Sequence, residues 1–475
     1  MYTESKCGVK IGTQRTRYLS QERGVRQGCC LSPTLFNIYI NELASSLERS
    51  AAPGLTLHNS QIKCLLYADD LVLLSPTQHG LQQNLDLLEQ YCQTWALTVN
   101  LKKTKIMIFQ KRSRSQGTQH TFTLGTNPIT HTSHYNYLGL KITSTGNFNH
   151  AVNELRDKAR RAFYAIKRQC PIEIPIRIWL KILESVIEPI ALYGSEVWGP
   201  LTNPNQDFTK WEKHPIETLH AELCKNILHV HRHTTNNACR AELGKYPLIV
   251  KIQKRAIKFW KHLKLSDPQS YHYKALQHQK MSKECSPLPQ LIQSFSTDAS
   301  LTSTDALNHI RINQITAQIK HNYITHWQTQ TEQQSKMRCY LALKREYSMA
   351  EYLYTVSDQK LRSTLTRYRL SGHKLMIETG RHRKTWLPAE QRLCSHCDLN
   401  QMETELHFLT ECPKYTDIRT GFYDQIQQIH QTFKTLPNQE KLPYLLGEHK
   451  NCCVFAAQYV SACHDVRENT QPALT

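Results

Sequence analysis

Apolar positions follow two different rhythms along the chain. Through the first 145 residues they come in short, strand-like runs. From about 150 to 265 they recur at helical spacing. Ser32 to Leu47 reads as an early helix, with Ser32 as its cap, Pro33 at its first position and Leu35, Ile38, Tyr39 and Leu43 on one face. A glycine turn, Gly24-Val25-Arg26-Gln27-Gly28-Cys29-Cys30, leads into it. Cys64 to Leu74 predicts a tight hairpin with both strands buried. Leu81, Leu85, Leu88 and Trp95 predict a helix, followed by the basic turn Asn100 to Lys105 and a strand over Ile106 to Phe109. Tyr135 to Ile142 alternates aromatics around Gly139, as a tight strand turn would.

Two amphipathic helices are expected next. Ala151 to Gln169 lines up Val152, Leu155, Ala159, Phe163 and Ile166, with six Lys/Arg largely off that stripe. Ile176 to Leu192 is apolar and tolerates Pro189 only near its end. Glu284 to Ala306 is rich in Ser, Thr and Pro and reads as a linker. Helical patterns resume from Leu307 to about Gly380, then give way to a Cys/His cluster and a polar tail. No repeat of fixed period occurs.

Composition narrows the partners. In 475 residues, 59 Lys and Arg face 39 Asp and Glu, a net +20 at pH 7. Such a charge points to a polyanion, nucleic acid before an anionic membrane, and away from an acidic secreted enzyme. The ratio is 15 to 8 in residues 1–150, 20 to 11 in 151–265 and 24 to 20 in 266–475, so a phosphate-facing surface is expected in the first two blocks. No run of about 18 apolar residues offers a membrane span, and the first residues lack the apolar core of a secretory signal. The expected setting is the nucleus and cytoplasm. Most of the sixteen cysteines then read as small buried hydrophobes in a reducing compartment.

Two features carry chemistry. In Tyr67-Ala68-Asp69-Asp70, two apolar runs flank adjacent carboxylates. Two like charges in an apolar setting are costly without a cation. Mg²⁺ prefers such oxygen ligands, and metal-assisted phosphoryl transfer uses them. For the dipeptide alone, an ordinary Asp-Asp turn is the alternative. Near the C-terminus, Cys394, Cys397, His407 and Cys412 stand two, nine and four residues apart. That set suits a tetrahedral Cys₃His zinc site, with His407 at a helix start. His396 is the residue most easily mistaken for a ligand. A segment from Arg362 to Arg392 with eight Lys/Arg and two acids precedes the cluster, and together they read as a nucleic-acid-binding module.

The first of these motifs resembles the metal-binding box of reverse transcriptases, and Arg26 to Pro33 resembles their template- and nucleotide-positioning box. The wording is most similar to LINE-type (non-LTR) retrotransposon polymerases. The resemblance implies an α+β fold: a partial right-hand palm, an antiparallel sheet with helices, over residues 1–110. A loop and primer-gripping hairpin would follow over 111–145, a thumb-like basic region over 146–283 and a linker over 284–306. Basic helices (307–390), a zinc module (391–416) and a tail (417–475) would complete the chain. It also implies RNA-templated DNA synthesis with Mg²⁺, or Mn²⁺, at Asp69 and Asp70. Arg26, Gln27, Gly28, Tyr67 and Ala68 would position template and nucleotide, and Lys103 would act as general acid on departing pyrophosphate. RNA template, DNA primer and dNTPs would be the partners; no membrane is expected.

One departure matters. The family's metal site uses three carboxylates, the first on an upstream strand, yet no Asp precedes Asp69 here; the acids before it are Glu4, Glu22, Glu42 and Glu48. The expectation is an N-terminally truncated element product, inactive alone. The alternative is a non-catalytic nucleic-acid-binding derivative of such an element. A group II intron maturase fits less well, because of the cysteine spacing.

Overall fold

The computed structural model describes residues 6–20, 24–26, 28–109, 120–170, 173–199, 208–281, 312–382 and 386–469. Gln27 and the linker at 284–306 fall outside them. The described residues form two units, one within 1–147 and 263–285, the other within 148–262 and 286–475.

The first unit is mixed α and β, but its strands do not join into one sheet. Among the described residues there are six separate two-stranded antiparallel ribbons. The central one pairs Cys64–Tyr67 with Asp70–Leu73, in the register Cys64↔Leu73, Leu65↔Val72, Leu66↔Leu71, Tyr67↔Asp70. Because side chains alternate, Cys64, Leu66, Leu71 and Leu73 share one face and Leu65, Val72, Tyr67 and Asp70 the other. Two helices, Ser32–Arg49 and Gln78–Thr94, supply Leu43, Leu47, Leu88, Tyr91 and Cys92 to the core that receives Cys64, Leu71 and Leu73. Leu65 and Tyr67 stay exposed, so the expectation of two buried strands is corrected: only one face of this ribbon is covered.

The first helix differs from its forecast. Leu31, not Ser32, occupies the N-cap, and no side chain caps the helix. Ser32 Oγ instead donates to the Arg26 carbonyl at 2.6 Å, tying the glycine turn to the helix start. The apolar face is rotated too. Ile38 is 68% exposed and Tyr39 is exposed, while Ile40, Leu43, Ala44 and Leu47 face the core. The second helix is capped by Thr77, whose hydroxyl accepts from Gly80 N–H at 3.1 Å. The strand expected over Ile106 to Phe109 is a single parallel bridge, Ile106↔His131, and Ile108 and Phe109 are exposed.

Helices build the second unit. Asn149–Gln169 buries Ala151, Val152, Leu155, Ala159 and Phe163. The next helix is broken into Ile176–Ile182, a π-helical turn Leu183–Ile187, and Glu188–Ala191. Pro189 explains the break: it has no N–H to donate, and its ring crowds the carbonyl of Ser185 inside that turn. Residues 417–475, read as a polar tail, contain ordered helices up to Asn469. Thr416–Ile429 packs on Cys453–Asn469, whose Cys453, Ala456, Ala457, Val460 and Cys463 are buried. Cys and Ala at such spacing give a weak apolar signal in sequence and a tight helix contact in space.

Candidate active site and metal centre

Register places the carboxylate pair. Tyr67 and Asp70 face each other as strand partners, so the loop between them is Ala68-Asp69. Asp69 stands at the tip, and Asp70 is the first residue of the returning strand. Ala68 adopts φ 51°, the left-handed region that two-residue hairpin loops demand. Both carboxylates are exposed, and no ion pair neutralises either of them among the described residues. Adjacent, unpaired oxygen donors at an accessible tip are the donor set that Mg²⁺ takes.

A second hairpin lies in the same unit. His134–Tyr137 pairs with Leu140–Thr143 through Leu138 (φ 46°) and Gly139 (φ 82°). Two positive φ angles in a two-residue loop make a type I′ turn, which only glycine enters freely. Burial raises the Tyr137 hydroxyl above its usual pKa, and the Asp70 charge raises it further. Tyr137 therefore lies within electrostatic reach of Asp70. It was not singled out from sequence as a site residue; the alternating aromatics at Tyr135 and Tyr137 were its only signal.

The remaining described residues of the expected site lie in two other turns. Arg26 and Gly28 sit in the turn tied to the first helix, where Gly28 takes φ 81°. Lys103 lies in a turn closed by its own N–H to Asn100 O at 3.0 Å. No hydrogen bond or ion pair joins Lys103 to Asp69 or Asp70 among the described residues.

In the second unit, Cys394, Cys397, His407 and Cys412 converge, with their ligand atoms all within 4.8 Å of one another. Tetrahedral zinc holds thiolates ~3.8 Å apart at Zn–S distances of ~2.3 Å, so small shifts would close the set. Cys394 N–H donates to Gln401 O at 2.9 Å, which closes the turn carrying the first two cysteines. His407 Nε2 faces Cys397 Sγ at 3.4 Å, and His407 Nδ1 faces Gln401 Oε1 at 2.9 Å. This leaves Nε2 for a metal and gives Nδ1 an orienting partner. His407 opens a π-helical turn, His407–Glu411, and His396 is not in the cluster.

The basic segment before the cluster is not a basic surface. Arg362, Arg369 and Arg392 are buried. Arg362 pairs with Glu173 at 2.5 Å and Arg369 with Glu242 at 3.1 Å, and Arg392 donates to the Leu387 and Ile377 carbonyls. Lys374 pairs with Glu468 and Arg381 with Glu378. Arg383 and Lys384 lie outside the described residues. In the Asn149–Gln169 helix, Arg160 is likewise spent on Glu222 at 2.6 Å.

The reverse transcriptase (RNA-dependent DNA polymerase) family matches residues 2–142, a stretch that contains both the glycine turn and the Asp pair. The chain carries a reverse transcriptase segment of the LINE type. It is 31% identical over 181 residues to the Pol polyprotein of the type-1 retrotransposable element R2 of Nasonia vitripennis, covering 36% of this chain and 17% of that protein. It is 25% identical over 186 residues to the RNA-directed DNA polymerase of the mobile element jockey of Drosophila melanogaster, covering 37% and 19%. An R2 polyprotein of Popillia japonica is 26% identical over 247 residues, 51% of this chain and 38% of that one. These matches span well under half the length of the relatives. No described helix of the chain is long and apolar enough to cross a membrane.

Proposed function

We propose that this chain contributes to RNA-templated DNA synthesis by a LINE-type retrotransposon, with Asp69 and Asp70 as metal-holding carboxylates. The observation that carries this is the hairpin that sets the two carboxylates, exposed and unpaired, inside the matched segment. Mg²⁺, or Mn²⁺, held there would stabilise the charge that builds on the reacting phosphoryl group. Asp69 and Asp70 orient that ion, Tyr67 and Ala68 fix the tip, and the Arg26-Gln27-Gly28 turn positions template and nucleotide. Lys103 protonates the pyrophosphate leaving group once bound substrate draws its flexible side chain in. Cys394, Cys397, His407 and Cys412 hold a structural Zn²⁺. RNA template, DNA primer and dNTPs are the partners, in nucleus and cytoplasm.

Primer extension on an RNA template with Mg²⁺, beside Asp69→Asn, tests the reading. Extension lost in the variant supports catalysis at Asp69. Extension unchanged in the variant sinks the assignment. Template binding without extension favours the second reading, a non-catalytic nucleic-acid-binding derivative, for which the net +20 charge speaks.

A further inference from the structure

Downstream of the Pro215–Ile227 helix the chain reads His229-Val230-His231-Arg232-His233, a stretch that the site above does not use. His231, Arg232 and His233 are all exposed. The rings of His231 and His233 lie 5.0 Å apart, and Arg232 Nε approaches His233 Nε2 at 3.2 Å. Two lysines reach in from other elements. Lys225 donates to the Arg232 carbonyl at 2.7 Å, and Lys336 to the His233 carbonyl at 3.4 Å. His382 adds its charge from a third segment. We propose that the His231-Arg232-His233 turn, with Lys225, Lys336 and His382, is a docking site for the phosphodiester backbone of a nucleic acid.

Three observations lead there. The six basic groups come from four places in the chain: Lys225, Arg232 and Lys336 are cations at neutral pH, and the three histidines are neutral rings that a bound anion can recruit by protonation. None of them forms an ion pair with a carboxylate among the described residues, whereas the buried Arg240, Arg362 and Arg369 of this unit do. Acids near the turn are engaged elsewhere: Glu212, which acts on Lys225, by Arg240, and Glu173, which acts on His229, by Arg362. The backbone is also fixed before any ligand arrives, because the two lysines hold adjacent carbonyls. An array of donors and positive charge that is already ordered pays little further entropy to receive phosphate oxygens.

Protonation should be linked to binding. His233 sits below the ordinary histidine range, through desolvation and then through Arg232, His231, His382 and Lys225. His229 beside it is lowered by burial, then by Lys167, Arg362 and Arg367, with Glu173 opposing. A phosphate among these cations offsets their repulsion and raises the histidine pKa in the complex. Binding then takes up protons and tightens as pH falls. The choice of nucleic acid as the polyanion rests on the proposed function above.

The test uses the full chain and a fluorescein-labelled RNA–DNA hybrid followed by anisotropy across salt and pH. Arg232→Gln is expected to weaken binding about tenfold, the scale of one charge-assisted hydrogen bond. It should also lower the slope of log K against log salt by about one. His231→Gln with His233→Gln should remove the tightening between about pH 8 and pH 6. All three side chains are exposed, so unfolding temperatures should stay at the parent's value and report that each variant folds. A parent that binds and variants that match its slope and pH profile would overturn the turn's role alone. Competition by inorganic phosphate beyond its ionic-strength effect would overturn it in favour of a free-phosphate site. A parent that does not bind the hybrid even at low salt would remove the nucleic-acid reading as well.

Discussion

Arg369 and Glu242 meet at 3.1 Å with neither side chain exposed to solvent. Arg369 also reaches Glu448 at 2.8 Å and the Leu446 carbonyl at 2.6 Å. One guanidinium thereby joins three segments that are far apart in the chain. Removing the cation would strand a buried carboxylate, which costs about 3–5 kcal/mol. Arg369→Ala should lower the urea unfolding midpoint accordingly. Arg369→Met with Glu242→Gln, which leaves no bare charge, should recover much of the loss. A double variant as unstable as the single one would mean that the charge pairing is not what holds these segments.

A second buried node sets a pH dependence. Glu217 accepts from Trp211 Nε1 at 2.7 Å, Leu248 N–H at 2.8 Å and Arg240 at 2.9 Å, and faces His220 at 3.0 Å. Burial alone would raise its carboxyl, but His220 and Arg240 reverse this and bring it to about 2. For His220, burial works downward, and Cys224 and Glu217 prevail and raise it to about 10. A depressed carboxyl contributes stability above its unfolded pKa of ~4.3 and loses it as pH falls toward 2. A raised imidazole contributes below ~6.5 and loses it as pH climbs toward 10. Unfolding free energy should therefore fall on both sides of a plateau between about pH 5 and 6.5. Glu217→Gln should flatten the acid limb by roughly 3 kcal/mol, measured by denaturant titrations across pH. An acid limb unchanged in that variant would exclude Glu217 as its source.

What sequence could and could not reveal follows from how far apart the interacting residues lie. The Asp69-Asp70 tip and the Cys394 to Cys412 cluster are local: the residues that make them sit within a few turns of chain. Their placement was legible because short chain spacing brings them together. Arg362, Arg369 and Arg392 read as a basic surface for the opposite reason. The first two pair with Glu173 and Glu242, which lie more than a hundred residues away, and no window of sequence contains such pairs. Ser32 shows a subtler failure. A serine before a helix usually caps it, yet this hydroxyl donates backwards to Arg26, because a glycine turn folds that carbonyl over it.

Leu138 occupies a backbone conformation that suits it badly. With φ 46° beside Gly139 at 82°, it takes the first central position of a type I′ turn, where asparagine is preferred. A left-handed conformation costs a non-glycine residue about 1–2 kcal/mol. Leu138→Asn should therefore raise stability by about 0.5–1 kcal/mol, read as a higher thermal midpoint. Leu138→Val, branched at Cβ, should lower it. If both substitutions destabilise alike, the Leu138 side chain is holding more than the turn.

Loss of metal should unfold more than the cysteine turn. Between Cys397 and His407 lie Glu403 and Glu405, both buried. Glu403 receives Arg467 at 2.9 Å and the Met376 N–H at 2.6 Å. Glu405 receives Arg338 at 2.7 Å, His373 at 2.8 Å and the Ser371 hydroxyl at 3.1 Å. The segment that bridges the ligands is thus also an anchor for the helical unit around it. Metal analysis of the purified chain should find one zinc per molecule. Cys412→Ser should abolish it and lower the thermal midpoint, because binding energy of a structural zinc is folding energy. Hydrogen exchange should then quicken at Met376 and along Cys453–Asn469 as well as at the cysteines. Exchange that quickens only between Cys394 and Cys412 would show that the carboxylate anchors hold without the metal.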